Sequence, residues 1–113
     1  MISLRISRCI KEIVQALVSR KFDEVYLEDY FKILTEFEIM NAVDSFPGNL
    51  TMPKDELDFC DYDFYFVDIE MDIIQIEFML QFDLEKSDVT LIFFYHDDVG
   101  EAYGYSIKDI YIQ

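Results

Sequence analysis

The chain of 113 residues has no tryptophan, one histidine, two cysteines, two prolines and three glycines. Each scarcity removes a class of reading. So few glycines leave little from which to build a phosphate-cradling loop, and neither that motif, a dinucleotide fingerprint nor a Gly-x-Ser-x-Gly elbow occurs. The same shortage excludes collagen-like and linker-rich chains. Two cysteines, Cys9 and Cys60, do not make a disulfide scaffold in a chain with this much apolar material. Long apolar runs are missing as well: none reaches the ~18 residues of a bilayer-spanning helix. Met1 to Arg8 is followed by Lys11, Glu12 and Gln15, so no secretory core is read there and a cytoplasmic protein is expected. Bases are the scarcest class relative to their counterpart, 9 Lys+Arg against 24 Asp+Glu, a formal net charge of −15. Such a chain repels phosphate backbones and anionic lipid, which argues against direct nucleic-acid binding and against a membrane surface. Something basic is the natural partner.

What is present is material for a core. Hydrophobic residues make up 52% of the chain and aromatics 17%, enough for one folded domain spanning 1–113 and against disorder. From Ser3, a candidate N-cap, to about Phe22, the residues Ile6, Cys9, Ile10, Ile13 and Leu17 recur at three- and four-residue steps, one face of a helix. A second helical pattern runs from about Glu28 to Met40, with Tyr30, Phe31, Leu34 and Phe37 on one side, and Arg20 to Leu27 reads as the connection. Ser45-Phe46-Pro47-Gly48-Asn49 punctuates the chain, and Pro53 keeps the next stretch irregular. From about Tyr62 the period becomes 2. Residues 62–70 are apolar on both sides. In the next strand Ile74, Ile76, Phe78, Leu80 and Phe82 alternate with Gln75, Glu77 and Gln81. Leu84 to Ser87 reads as a turn, Asp88 to His96 as a strand, and 97–100 as a turn in which Gly100 can take positive φ. In the last strand, from Ala102 to Ile112, the apolar register slips from odd to even, which predicts a β-bulge at Lys108 and Asp109. The expectation is an α+β fold, an N-terminal helix pair packed on a three- to four-stranded antiparallel meander. Ile92 and Phe94 make the opposite sheet face apolar too, so that face is either covered by the 45–60 loop or a contact surface.

The acidity is uneven. Residues 1–21 hold five bases and one acid, a balance of +4; the remainder holds four bases and 23 acids, −19. Between 55 and 72 lie Asp55, Glu56, Asp58, Asp61, Asp63, Asp68, Glu70 and Asp72 with no base. Such crowding costs stability through self-repulsion. The net charge of −15 also exceeds the magnitude of about 2–8 that suffices for a small domain to stay in solution. Two readings stand side by side: a surface kept acidic for a cationic partner, whose encounter it would steer, and acidity that merely prevents aggregation. Aromatics interleaved with the acids, Phe59, Tyr62, Phe64 and Tyr65, would supply desolvated anchors, although Phe64 also suits a core. The candidate partner-binding residues are therefore Asp55, Glu56, Asp58, Phe59, Asp61, Tyr62, Asp63, Tyr65, Asp68, Glu70 and Asp72.

Signals for catalysis are weak. His96 beside Asp97 and Asp98 is one histidine, too few ligands for a zinc site, and reads first as a strand-end residue. Asp58, Asp61 and Asp63 lack the spacing and glycine of a calcium loop. Carboxylate pairs are uninformative where carboxylates are so many. Cys9 falls on the buried helix face, and Cys60 among acids that suppress its thiolate. No catalytic residue, metal or cofactor is expected.

Three stretches carry a resemblance: Ile74-Gln75-Ile76-Glu77-Phe78, Ser87-Asp88-Val89-Thr90-Leu91 and Ile107-Lys108-Asp109-Ile110-Tyr111-Ile112. Over about forty residues this half is similar to an uncharacterised bacterial domain family with an SDLTL-like strand start and a terminal IDDIHV-like strand, differing in having no Trp ahead of the first. In size, acidity and helices-then-meander order, the chain resembles the immunity proteins of contact-dependent growth inhibition and other polymorphic toxin systems. That resemblance implies a non-catalytic inhibitor of a cognate basic toxin domain, a nuclease being the class that must bind phosphates. The alternatives are an acidic nucleic-acid mimic that blocks a DNA-binding protein, and a structural domain whose acidity serves solubility alone.

Overall fold

The computed structural model describes residues 2–68, 72–97 and 103–112. It is an α+β fold with helices first and strands after. Helix α1 spans Ile2–Val18, α2 Phe22–Glu28 and α3 Glu36–Asp44; the strands are β1 Leu50–Thr51, β2 Asp63–Asp68, β3 Ile73–Phe82, β4 Glu85–Asp97 and β5 Tyr103–Ile112, with a 3-10 turn at Glu56–Cys60. The sheet is antiparallel. It runs β1–β3–β4–β5, and β2 pairs with the same edge of β3 as β1 but farther along it. No helix among the described residues is long and apolar enough to cross a membrane.

The α1 stripe behaves as its period demands: Ile6, Cys9, Ile10, Ile13 and Leu17 are buried, joined by Val14. The boundaries differ from expectation. Ser3 lies inside the helix, which begins at Ile2, so it does not cap it. The helix stops at Val18 because Arg20 turns left-handed (φ 58°), with its N–H donating to Leu17 O and that of Lys21 to Ala16 O, a Schellman closure achieved without glycine.

The expected second helix is two. Helix α2 takes up residues 22–27 of the stretch read as connection, together with Glu28, and is held by buried Phe22 and Val25. The pattern from Glu28 to Met40 breaks at Asp29, and a strap of irregular chain precedes α3. Tyr30, Phe31 and Phe37 are exposed rather than a packing face. Two local causes are visible. Thr35 and Glu38 form a capping box that starts a new helix. Asp29, 1% exposed, leaves the helix to join the sheet: its Oδ2 accepts from Ile107 N (2.8 Å) and its Oδ1 from Lys32 N (2.8 Å). Tyr30 N donates to Tyr105 O at 2.9 Å and Phe31 N to Ser106 Oγ at 2.7 Å. The strap thus covers the outer edge of β5, satisfying groups that an edge strand would otherwise leave bare.

In β3 the reading of faces holds: Ile74, Ile76, Phe78, Leu80 and Phe82 are buried in one core with α1, α2 and α3. The β3–β4 turn is Asp83-Leu84 rather than Leu84 to Ser87, and residues 85–87 already belong to β4. Both turn residues have positive φ, 53° and 67°, the signature of a two-residue type I′ hairpin. It is tethered to the loop before β1, where Gly48 takes φ 91°, and to β1 itself: Asp83 N donates to Asn49 O and Leu84 N to Thr51 Oγ1. The predicted bulge is present. Ile92 faces Asp109 and Phe93 faces Ile107, which leaves Lys108 as the additional residue. The 97–100 turn with Gly100 lies outside the described residues.

Candidate partner-binding surface

On β4 the second face is occupied after all, but not by the 45–60 loop. That loop's 3-10 turn packs beside α1, where Lys11 meets Glu56 at 2.6 Å and Phe59 stacks on core residue Phe78. The opposite face is closed by its own side chains. Lys108, pushed out by the bulge, reaches over the Phe94 ring (5.8 Å) towards Gln75 Oε1 (3.5 Å), a use of the long apolar stem as cover. Ile92 is buried and Phe94 half-buried. His96 lies beneath Tyr30 and Phe31, with ring centroids 4.8 and 6.1 Å away. It is buried, and its Nε2 has no hydrogen-bond partner among the described residues. Strand-end is therefore an incomplete description of His96: it is a core residue of the second face.

The acidic segment is spread over three kinds of position. Asp55, Glu56 and Asp58 serve the 3-10 turn and its docking. Asp55 Oδ1 accepts from Leu57 N (2.9 Å), Glu56 pairs with Lys11, and Asp58 Oδ2 accepts from Gln81 Nε2 (3.3 Å). Phe59, expected among the anchors, is a core residue 3% exposed. Its place is set by stacking, so it cannot touch a partner directly. Tyr62 is half-buried, and burial pushes its hydroxyl pKa up, with Cys60 adding a smaller effect of the same sign. Asp72 sits in the exposed turn before β3 with φ 54°, and Glu70 lies outside the described residues.

What the fold does bring together is strand β2 and the rim of β3. Asp63 pairs with Glu77, Phe64 with Ile76, Tyr65 with Gln75, Phe66 with Ile74 and Asp68 with Ile73. These pairings put Asp63 and Tyr65 on the sheet face away from the helices, and Phe64 and Phe66 on the helix side. The helix layer does not extend that far. Phe64 is 54% exposed, Phe66 70%, Tyr65 52% and Val67 54%, and the two phenyl rings meet edge to face at 6.0 Å. Phe64 is thus no core residue. Phe66 and Val67 were not singled out from sequence, because a run apolar on both sides reads equally as a buried central strand.

Next to this strand, Asp61, Tyr62, Asp63, Glu77, Met79 and Thr90 line a shallow concavity. Asp61 receives Lys86 Nζ at 3.3 Å from the far side, and Gln75 Nε2 donates to Glu77 at 2.9 Å. Among the described residues, three carboxylates, Asp61, Asp63 and Glu77, line the hollow, and Lys86 reaches Asp61. Asp63 and Glu77, opposite one another, form a like-charge cross-strand pair that is unfavourable by itself. No group of three or more metal-ligating side chains converges among the described residues. Cys9 and Cys60 are free, and burial drives the Cys9 thiol pKa far up, so it stays protonated.

A second concavity, between α1, α3 and the loop before β1, has Arg20 and Asp44 on its lip. These two satisfy each other through two contacts of 2.8 and 2.9 Å. At the opposite end of the sheet, the strap and its neighbours expose Leu27, Tyr30, Phe31, Ile33 and Phe37, of which Tyr30, Phe31 and Phe37 are the residues that sequence periodicity assigns to a helix face.

The chain matches no protein-family model, no curated protein and no solved structure.

Proposed function

We propose that this protein is a non-catalytic inhibitor of the immunity type, which captures a cognate basic toxin domain in the cytosol and excludes its substrate. A nuclease is the toxin class that fits, since a groove built to hold phosphates is basic and an acidic body competes for it. The observation that carries the reading is β2 with its rim: aromatic side chains more than half exposed, set among carboxylates, in a chain of net charge −15. Exposed aromatics in a stable fold supply the desolvated contacts that give slow release, and the surrounding charge supplies steered encounter. Scattered acids kept only for solubility would not need that apolar centre.

The test is inhibition. The protein is titrated into purified basic nuclease toxin domains, and cleavage of a labelled nucleic acid is followed at two salt concentrations. Stoichiometric inhibition of one domain and indifference to its relatives is the expected result. Equal weak inhibition of every cationic protein, DNA-binding proteins included, would instead identify a nucleic-acid mimic. Failure to bind any cationic domain in dilute buffer would refute the reading. The triple variant Asp58→Lys, Asp61→Lys, Asp63→Lys should slow association by about tenfold or more at low salt. Unchanged kinetics would remove this segment from the interface.

A further inference from the structure

Resting on the reading above, we infer that the partner contributes an extended segment alternating basic and apolar residues, which adds as a strand to the open edge of β2. The backbone makes the first argument. β2 pairs only with β3, so alternate residues from Asp63 to Phe66 turn an N–H and a C=O outward, where among the described residues no strand meets them. Natural edges of this kind are blunted by Lys, Pro, a covering loop or a bulge. The β5 edge has its strap, whereas 62–66 contains neither Lys nor Pro, and the irregularity between Phe66 and Asp68 comes only after four residues of regular pairing.

The side chains make the second argument, because the two faces of this edge ask for different things. On one face the Phe64–Phe66 ring pair forms an apolar ledge beyond the helices. On the other lie Asp63, Tyr65 and the hollow containing Asp61 and Glu77. A strand laid alongside presents alternate side chains to the same two faces. Its apolar residues would rest on the phenyl rings, and its Lys or Arg residues would fill the hollow and relieve the Asp63–Glu77 repulsion. Main-chain bonds give such strand addition its affinity and the alternating pockets its specificity.

Charge selects the occupant. A second copy of this chain pairing through β2 would bring two edges rich in carboxylates together, between bodies of −15 each. An acidic or neutral peptide would leave the hollow unfilled. A basic alternating segment meets both faces.

The probe is an acetylated, amidated peptide of five Lys-Val repeats, added to the isotope-labelled full chain and followed by amide NMR. Shifts confined to 61–66 and 75–79 are expected. Binding should be at least tenfold tighter than for a peptide of the same composition with all Lys before all Val. N-methylation of the peptide at alternate residues, in one of its two registers, should abolish binding, because only one register donates to β2. The double variant Phe64→Ser, Phe66→Ser keeps its fold, both rings being largely exposed, and should lose at least tenfold in affinity. Equal binding of both N-methylated registers, shifts mapping to the 27–37 patch, or a β2-dependent dimer would each overturn the inference. A negative peptide result alongside specific toxin inhibition sinks strand addition and leaves the immunity reading standing. Peptide addition at β2 with no toxin inhibited does the reverse.

Discussion

Replacing Asp29 with Ala removes the strap carboxylate that holds a β5 amide, and the cost can be worked from its two hydrogen bonds. Asp29 is 1% exposed, and Oδ2 holds the buried amide of Ile107 while Oδ1 holds the partly buried amide of Lys32, both at 2.8 Å. A hydrogen bond to a charged group contributes about 1.5–3 kcal/mol, and a buried donor left unpaired costs about 1–3 kcal/mol. The Ile107 amide takes nearly the full penalty; the Lys32 amide recovers part of it from water. Together Asp29→Ala should cost about 3–4 kcal/mol, a large share of the roughly 5–15 kcal/mol that holds a domain folded. With about 2.1 cal/mol/K per residue of unfolding entropy, a chain of this length loses about 4 °C of Tm per kcal/mol, which gives a fall of about 12–16 °C. Asp29→Asn keeps one acceptor oxygen and should cost about half as much. Urea unfolding followed by circular dichroism measures the difference, and amide exchange at Ile107 and Tyr105 shows whether the strap has opened. A loss below about 1 kcal/mol for Asp29→Ala, with exchange at Ile107 unchanged, would refute the assignment of this carboxylate as the strap's anchor.

Three further outcomes follow from single features. Leu84 occupies a left-handed position in a type I′ turn after Asp83, so Leu84→Gly should raise stability by about 0.5–1 kcal/mol in urea unfolding; a loss would mean that Leu84 packs more than its 50% exposure allows. At Gly104 an added Cβ would collide with the His96 ring at Cε1 and Nε2. Gly104→Ala should therefore cost about 1–3 kcal/mol, and much less in a His96→Ala background, which a double-mutant cycle measures; equal costs in both backgrounds would place the ring elsewhere. Burial, first of all, raises the hydroxyl pKa of Tyr103 and of Tyr105. The bond from Tyr103 to Glu12 (2.7 Å) and the charge of Asp29 near Tyr105 act in the same direction. The unfolded chain sheds these protons near pH ~10 while the folded chain keeps them. Their stabilisation is thus complete below that pH and is lost as pH climbs towards the raised folded values. The urea midpoint should fall above pH ~10, less steeply in Tyr103→Phe; a midpoint flat through this range would contradict the shifts.

The candidate surface was legible only in part. Charge clustering and interleaved aromatics pointed to 55–72, and the structure brings Asp61, Tyr62, Asp63 and Tyr65 together at one rim. It removes Phe59, whose ring stacks on Phe78, and engages Asp55, Glu56 and Asp58 in holding the 3-10 turn. Composition says how many acids a segment has and nothing about which of them the chain itself uses. Glu77 entered the surface by pairing with Asp63 of β2, and Met79 by lining the concavity beside it, both from a strand whose sequence pattern drew attention to its buried face. The 27–37 patch was misread for a related reason: its apolar spacing satisfies a helix, yet Asp29 finds a partner 78 residues away that no local pattern contains.

Sequence alone determined the amphipathic stripe of α1, the buried face of β3, the bulge at Lys108 and the α+β order of elements. Each is a local periodicity, and burying a stripe of given period leaves few conformations. Tertiary structure decided which strand stands at an edge, where the helix layer ends and which carboxylates find internal partners. Those outcomes depend on contacts between segments far apart in the chain, where free energies of a few kcal/mol override intrinsic preference. The break at Asp29 and the bare aromatic edge of β2 are both consequences of that competition.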